Sequence, residues 1–181
     1  MLLAEIVVLV LAGFVLVDAS LQRPTVTSCS SVEKVKVTDV VVKNAVMGGV
    51  MTTSYTMQFT EALRRNPELH VAIRTRSGLT LPCVFGVGSC SHRLCGGTSH
   101  WETKLGAVWK NECPVLATSA RMSTWVYLMS LTQLLIGAAP TSVNVELAVT
   151  DGGSVVGCHS FDVEISDPQS FGLLTCLLRA G

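Results

Sequence analysis

The feature that most constrains this chain is the placement of its seven cysteines behind an apolar leader. They stand at Cys29, Cys83, Cys90, Cys95, Cys113, Cys158 and Cys176, with six residues between Cys83 and Cys90 and four between Cys90 and Cys95. In an oxidising compartment such spacing reads as a disulfide framework; in a reducing one it reads as metal ligands or a redox site. The N-terminus therefore decides the chemistry. Ile6 to Val17 (IVVLVLAGFVLV) is a run of twelve apolar positions. A membrane-spanning helix needs about 20 residues, whereas the core of a signal peptide has this shorter length. Val17 and Ala19 suit the small-residue positions of a cleavage site after Ala19, so residues 1–19 read as a signal peptide. The opening Met1 to Glu5 lacks the usual basic residue. The expected location is extracellular, and the cysteines are expected in bridges.

Composition narrows the function classes. Thirteen basic residues balance thirteen acidic ones, and neither sign runs together. Nucleic acid is not an expected partner, because phosphate binding needs clustered Lys and Arg. The chain is 49% hydrophobic, a surplus that serves either a large core or an apolar cavity. Seven cysteines in 181 residues are about 4%, below the ~8–10% of a scaffold held mainly by disulfides. Bridges would staple a real core. No N-glycosylation site is present: Asn66 precedes Pro67, and Asn44, Asn111 and Asn144 lack Ser or Thr two residues on.

Period-two patterning dominates the remainder. Val32 to Val42 is rich in β-branched residues and ends at Met47-Gly48-Gly49. Met51 to Phe59 alternates Thr53, Tyr55, Met57 and Phe59 against Ser54, Thr56 and Gln58, as a half-buried strand does. Leu69, Val71 and Ile73 alternate with His70 and Arg74, and a further extended piece covers Leu79 to Cys83. Residues 84–113 scatter glycines among cysteines, which predicts a bridged loop region with a short strand around His100 to Val108. Met122 to Leu128 alternates, and Leu128 to Ile136 is an apolar stretch closed by Gly137. Val143, Val145, Leu147 and Val149 form a strand joined through Asp151-Gly152-Gly153 to a partner over Val155 to Ile165. About seven strands at hairpin spacing without a long helix predict an all-β, two-sheet antiparallel sandwich.

Catalytic and metal chemistry find little footing. Cys83, Cys90, His92, Cys95 and His100 could supply tetrahedral ligands, but zinc sites usually show tighter pairs. Ser89 lies in Gly88-Ser89-Cys90, not in G-x-S-x-G. Asp39, Asp151, Asp162 and Glu164 are scattered and read as solvated surface acids. The chain is expected to be no enzyme and to hold no metal or cofactor.

Leu79-Thr80-Leu81-Pro82-Cys83, Gly88-Ser89-Cys90, Cys95, Cys113-Pro114, Gly157-Cys158 and the early Cys29 together resemble the ML lipid-recognition family. That family includes the ganglioside activator proteins, the lysosomal sterol carrier and the endotoxin co-receptor, and the likeness is closest to the ganglioside activators. It covers residues 27–167, so residues 20–167 would be one ML-type domain and 168–181 a tail. The resemblance implies the pairs Cys29–Cys158, Cys83–Cys90 and Cys95–Cys113, leaving Cys176 unpaired. Two departures stand out: a further bridge of the ganglioside activators is missing, and the step from Cys90 to Cys95 is one residue short.

The resemblance implies an immunoglobulin-like cup whose two sheets splay around an apolar cavity. Its expected wall is Val71, Ile73, Leu81, Met122, Val126, Leu128, Val145 and Leu147. Trp101, Trp109, Trp125, Leu131, Leu134 and Leu135 are expected at the rim, where aromatic and apolar groups meet a membrane. The implied ligand is a lipid (glycolipid, phospholipid or sterol), drawn transiently from a membrane surface and handed to an acceptor such as a glycosidase. A secreted or lysosomal destination follows. The alternatives are an extracellular lipid-sensing module of innate immunity and a secreted sandwich with a filled core that binds a protein.

Overall fold

The computed structural model describes residues 20–129 and 132–167. The expected signal peptide at 1–19, Leu131, Cys176 and the expected tail at 168–181 lie outside the described residues. Nine strands occur among the described residues: β1 Leu21–Gln22, β2 Thr27–Ser28, β3 Val35–Lys43, β4 Val50–Phe59, β5 Glu68–Thr75, β6 Ser91–Arg93, β7 Thr118–Tyr127, β8 Thr141–Asp151 and β9 Ser154–Ile165. Two short helices join them, α1 His100–Gly106 and α2 Gln133–Ile136. One sheet runs β1-β3-β4-β7 and the other β2-β9-β8-β5-β6. Every strand pair is antiparallel. This is the β-sandwich that the alternation predicts.

The alternation also sets the inner faces. In the first sheet Phe59, Met57 and Tyr55 lie opposite Thr118, Ala120 and Met122. In the second, Leu69, Val71 and Ile73 lie opposite Val149, Leu147 and Val145, and Val145 faces Phe161. Phe59, Met57, Leu63, Leu69, Leu94, Val35 and Val149 are almost wholly buried between the layers. Removing such apolar area from water, at about 25 cal/mol per Å2, is the main force holding the sheets together.

Three disulfides staple the sandwich: Cys29–Cys158, Cys83–Cys90 and Cys95–Cys113. They are the pairs that the family resemblance implies. The first ties β2 to β9 across 129 residues of sequence, a closure worth about 4–5 kcal/mol on chain entropy. With Cys83, Cys90 and Cys95 bonded in pairs, none of them offers a thiolate to a metal. Cys29 and Cys158 also approach Glu146, but they too are bridged.

Two local expectations need correcting. His100 to Val108 is not a strand: Ser99 caps a helix by accepting from the Glu102 backbone N–H, and the Glu102 carboxylate returns to the Ser99 N–H. This reciprocal capping box satisfies amides that a helix start leaves unpaired. Nor is Asp151 a solvated acid. It is buried, and its carboxylate accepts from the backbone N–H groups of Arg64 and Arg65. Gly152 and Gly153 supply the two positive φ values of the turn that follows. The β8–β9 hairpin is thereby latched to the turn before β5.

Candidate functional site

The inner faces are not sealed everywhere. Met51 on β4 and Val126 on β7 face each other in register. Across the gap, Val71 and Ile73 on β5 and Val145 on β8 share the face of the buried Leu69 and Leu147. Leu81 joins them by donating its backbone N–H to Ile73. All six of these apolar residues remain only partly buried against the core. This incompletely buried apolar set, on β4 and β7 of one sheet and on and beside β5 and β8 of the other, is the open corner of the sandwich. Of the expected wall residues, Val71, Ile73, Leu81, Val126 and Val145 are partly buried against the core, while Met122, Leu128 and Leu147 are buried within it.

A cleft of about 180 Å3 is bounded by Trp101, Lys104, Leu105 and Val108 of the helical segment and by Arg121, Met122, Ser123 and Thr124 of β7. Met122 belongs to both cleft and core, so the cleft reaches the sandwich interior. Tyr55, opposite Met122, is buried, and burial pushes its phenol up to about 12. Pockets that enclose small organic ligands span roughly 300–1,000 Å3, so the cleft by itself is too small for one.

The expected rim residues separate in the structure. Trp101 lines the cleft and donates its indole N–H to the Phe85 carbonyl at 3.0 Å. Leu134 and Leu135 are exposed on α2, which connects β7 to β8. Trp125 is 57% exposed, but on the outer face of the first sheet, with Val50 and Tyr127. Trp109 departs from the rim placement. It packs edge-on against Phe59 at 5.4 Å and donates to the Leu94 carbonyl, so it pins the cysteine-rich loop to the core.

The sequence reading missed a second hollow. A groove of about 570 Å3 lies between β3 and β9, lined by Arg23, Val26, Glu33, Lys36, Asp39 and His159 among others. Lys36 and Glu33 pair at 3.1 Å. Burial lowers the His159 pKa, while Glu33 pulls it upward. Its walls come from three distant segments, so no local pattern announces it.

No family model matches the sequence, and no curated protein matches it. Among solved structures, a Niemann-Pick type C2 protein from the Japanese carpenter ant superposes with a TM-score of 0.50 at 8% identity, covering 78% of this chain and 99% of that one. The C-terminal domain of wzt covers 79% of this chain and 78% of its own at 9% identity, with a TM-score of 0.44. The first likeness shows a shared fold. Among the described residues, no helix is long and apolar enough to cross a membrane.

Proposed function

We propose that this chain binds a lipid in the inter-sheet corner and carries it between membranes and an acceptor. The observation that carries this reading is the apolar set Met51, Val71, Ile73, Leu81, Val126 and Val145, which packs against the core from both sheets yet is only partly buried. Each CH2 moved from water into such a space contributes ~0.8 kcal/mol, so an acyl chain or sterol binds without any charged contact. The fold shared with a Niemann-Pick type C2 protein supports the reading.

The finer proposal is a glycosphingolipid-like ligand, extracted from a membrane and presented to a hydrolase such as a glycosidase, outside the cell or in the lysosome. Three disulfides support an oxidising compartment. The chain acts here as a carrier and not as an enzyme, because extraction and transfer need only reversible burial.

A second reading has one observation in its favour. The cleft is small and the sandwich behind it is filled by Phe59, Met57 and Leu69, as in a binding module with an ordinary core. Mass spectrometry of the secreted protein under native and denaturing conditions separates the two. The carrier reading expects a stoichiometric lipid that leaves on denaturation. A bare protein that also fails to take up added glycolipid or sterol overturns it.

A further inference from the structure

Val84 and Val87 exchange both backbone hydrogen bonds, at 2.8 and 2.9 Å, across a two-residue turn. Phe85 has φ +51° there and Gly86 φ +80°. Two successive positive values are the type I′ geometry, which favours Asn or Asp followed by Gly. A bulky side chain in the left-handed region is a true outlier, and such strain persists only where the surroundings impose it. Three restraints do so. The turn lies inside the Cys83–Cys90 bridge. Trp101 holds the Phe85 carbonyl oxygen. The Trp101 ring also lies so close to Gly86 that an added methyl group would overlap it. All three restrain the backbone, and the phenyl ring itself is 96% exposed. The fold therefore bears both strain and an unburied aromatic at one position, and gains no packing from either.

We propose that Phe85 is a membrane anchor, inserting its ring into the interfacial layer of an anionic bilayer and setting the Trp101 cleft against it. The surroundings are those of a membrane-facing site. Val84 and Val108 are exposed, and Trp101 supplies an indole beside them. Lys104 and Arg121 line the same cleft, with the Lys104 ammonium 6.0 Å from the Trp101 ring centre. Neither has a carboxylate partner among the described residues. The one acid of α1, Glu102, is turned back onto the backbone N–H groups of Arg93, Thr98 and Ser99. An apolar tip, an indole and unpaired cations match the acyl boundary, headgroup level and phosphates of such a surface. The inference deepens the carrier reading by naming the surface that meets the membrane.

The test uses flotation with vesicles of phosphatidylcholine and phosphatidylserine. Uptake of a detergent-dispersed fluorescent fatty acid is measured separately, without vesicles. Phe85→Asn places a turn-favouring residue at the strained position. It should keep or raise Tm, keep fatty-acid uptake, and lower vesicle partition by about tenfold, the factor for burying a phenyl group less completely than in a core. Phe85→Trp should still bind, with a blue shift of emission on adding vesicles. Native-like partition by Phe85→Asn overturns the anchor, and so does a lower Tm with parallel loss of uptake. If the native chain takes up fatty acid but ignores vesicles, the anchor fails while lipid binding stands. Vesicle binding that Phe85→Asn loses, with no uptake by either protein, keeps the anchor and removes the carrier reading.

Discussion

The indole nitrogen of Trp109 lies 2.6 Å from the carbonyl oxygen of Leu94, a residue with no exposed surface. This contact joins the cysteine-rich loop to the sandwich, because the same ring meets Phe59 edge-on. Trp109 is only partly buried, so Trp109→Ala should cost about 3 kcal/mol, the lower end for large-to-small aromatic changes. Trp109→Phe keeps an aromatic against Phe59 but leaves the Leu94 carbonyl unpaired, at about 1–3 kcal/mol. Urea titration of both variants checks this. Native stability of Trp109→Ala would mean that the loop is held by its disulfide alone.

The bridge between Cys29 and Cys158 should dominate global stability. Replacing both with Ser removes about 4–5 kcal/mol on the chain-entropy account. The midpoint of urea unfolding should fall accordingly, whereas loss of Cys83–Cys90, which spans a separation of only 7 residues, should cost less. Equal losses from both pairs would contradict the loop-length argument.

Strand-level architecture was legible because β4, β8 and the second half of β9 bury alternate residues, which imposes a period of two on the sequence. The two-residue strands β1 and β2 are too short to carry any period. Helix α1 did carry a signal, Ser99 followed three residues later by Glu102, but a glycine- and cysteine-rich neighbourhood obscured it. For the site, inward orientation of Val71, Ile73 and Val145 could be read from alternation. Their partial exposure could not, because it depends on how far the two sheets stand apart. Trp109 and Trp101 look alike in sequence. Only tertiary contacts make one a half-buried pin against Phe59 and the other a clamp on the Phe85 turn.

Glu102 should make stability fall in acid. Its carboxylate is pulled down to about 2 by hydrogen bonds from Ser99, first of all, and from Arg93 and Thr98. A depressed carboxyl pKa means that the unfolded chain binds the proton more readily. The contribution is thus complete above pH 4.5 and is lost as pH falls toward 2. Glu102→Gln should flatten this part of the stability profile, measured by thermal melts across pH. An unchanged profile would show that the cap does not hold the loop.

The two inner-parity histidines act in a different window. Burial lowers the pKa of His92 and of His159 below 6.5, with Glu102 opposing the shift at His92, Glu33 opposing it at His159, and Lys36 reinforcing the latter. The unfolded chain then takes up protons that the folded chain refuses, so stability should decline as pH drops below 6.5. His159→Gln should remove part of that decline. A melting profile flat between pH 7 and 5 in the native protein would exclude this coupling.

The open corner has its own test, independent of any ligand screen. Ile73 is half-buried on β5, opposite Val145 in register and on the same face as the buried Leu69. In a filled core, Ile73→Trp would overpack, and extra volume of that kind costs about 1–3 kcal/mol. In an unsealed corner the indole has room, so stability should stay within ~1 kcal/mol of native. The same ring would occupy the space assigned to a lipid tail, and uptake of a fluorescent fatty acid should fall steeply. The two readouts must move in opposite senses: stability kept, uptake lost. A destabilised variant with no change in uptake would mean that the corner is ordinary core and that any lipid sits elsewhere.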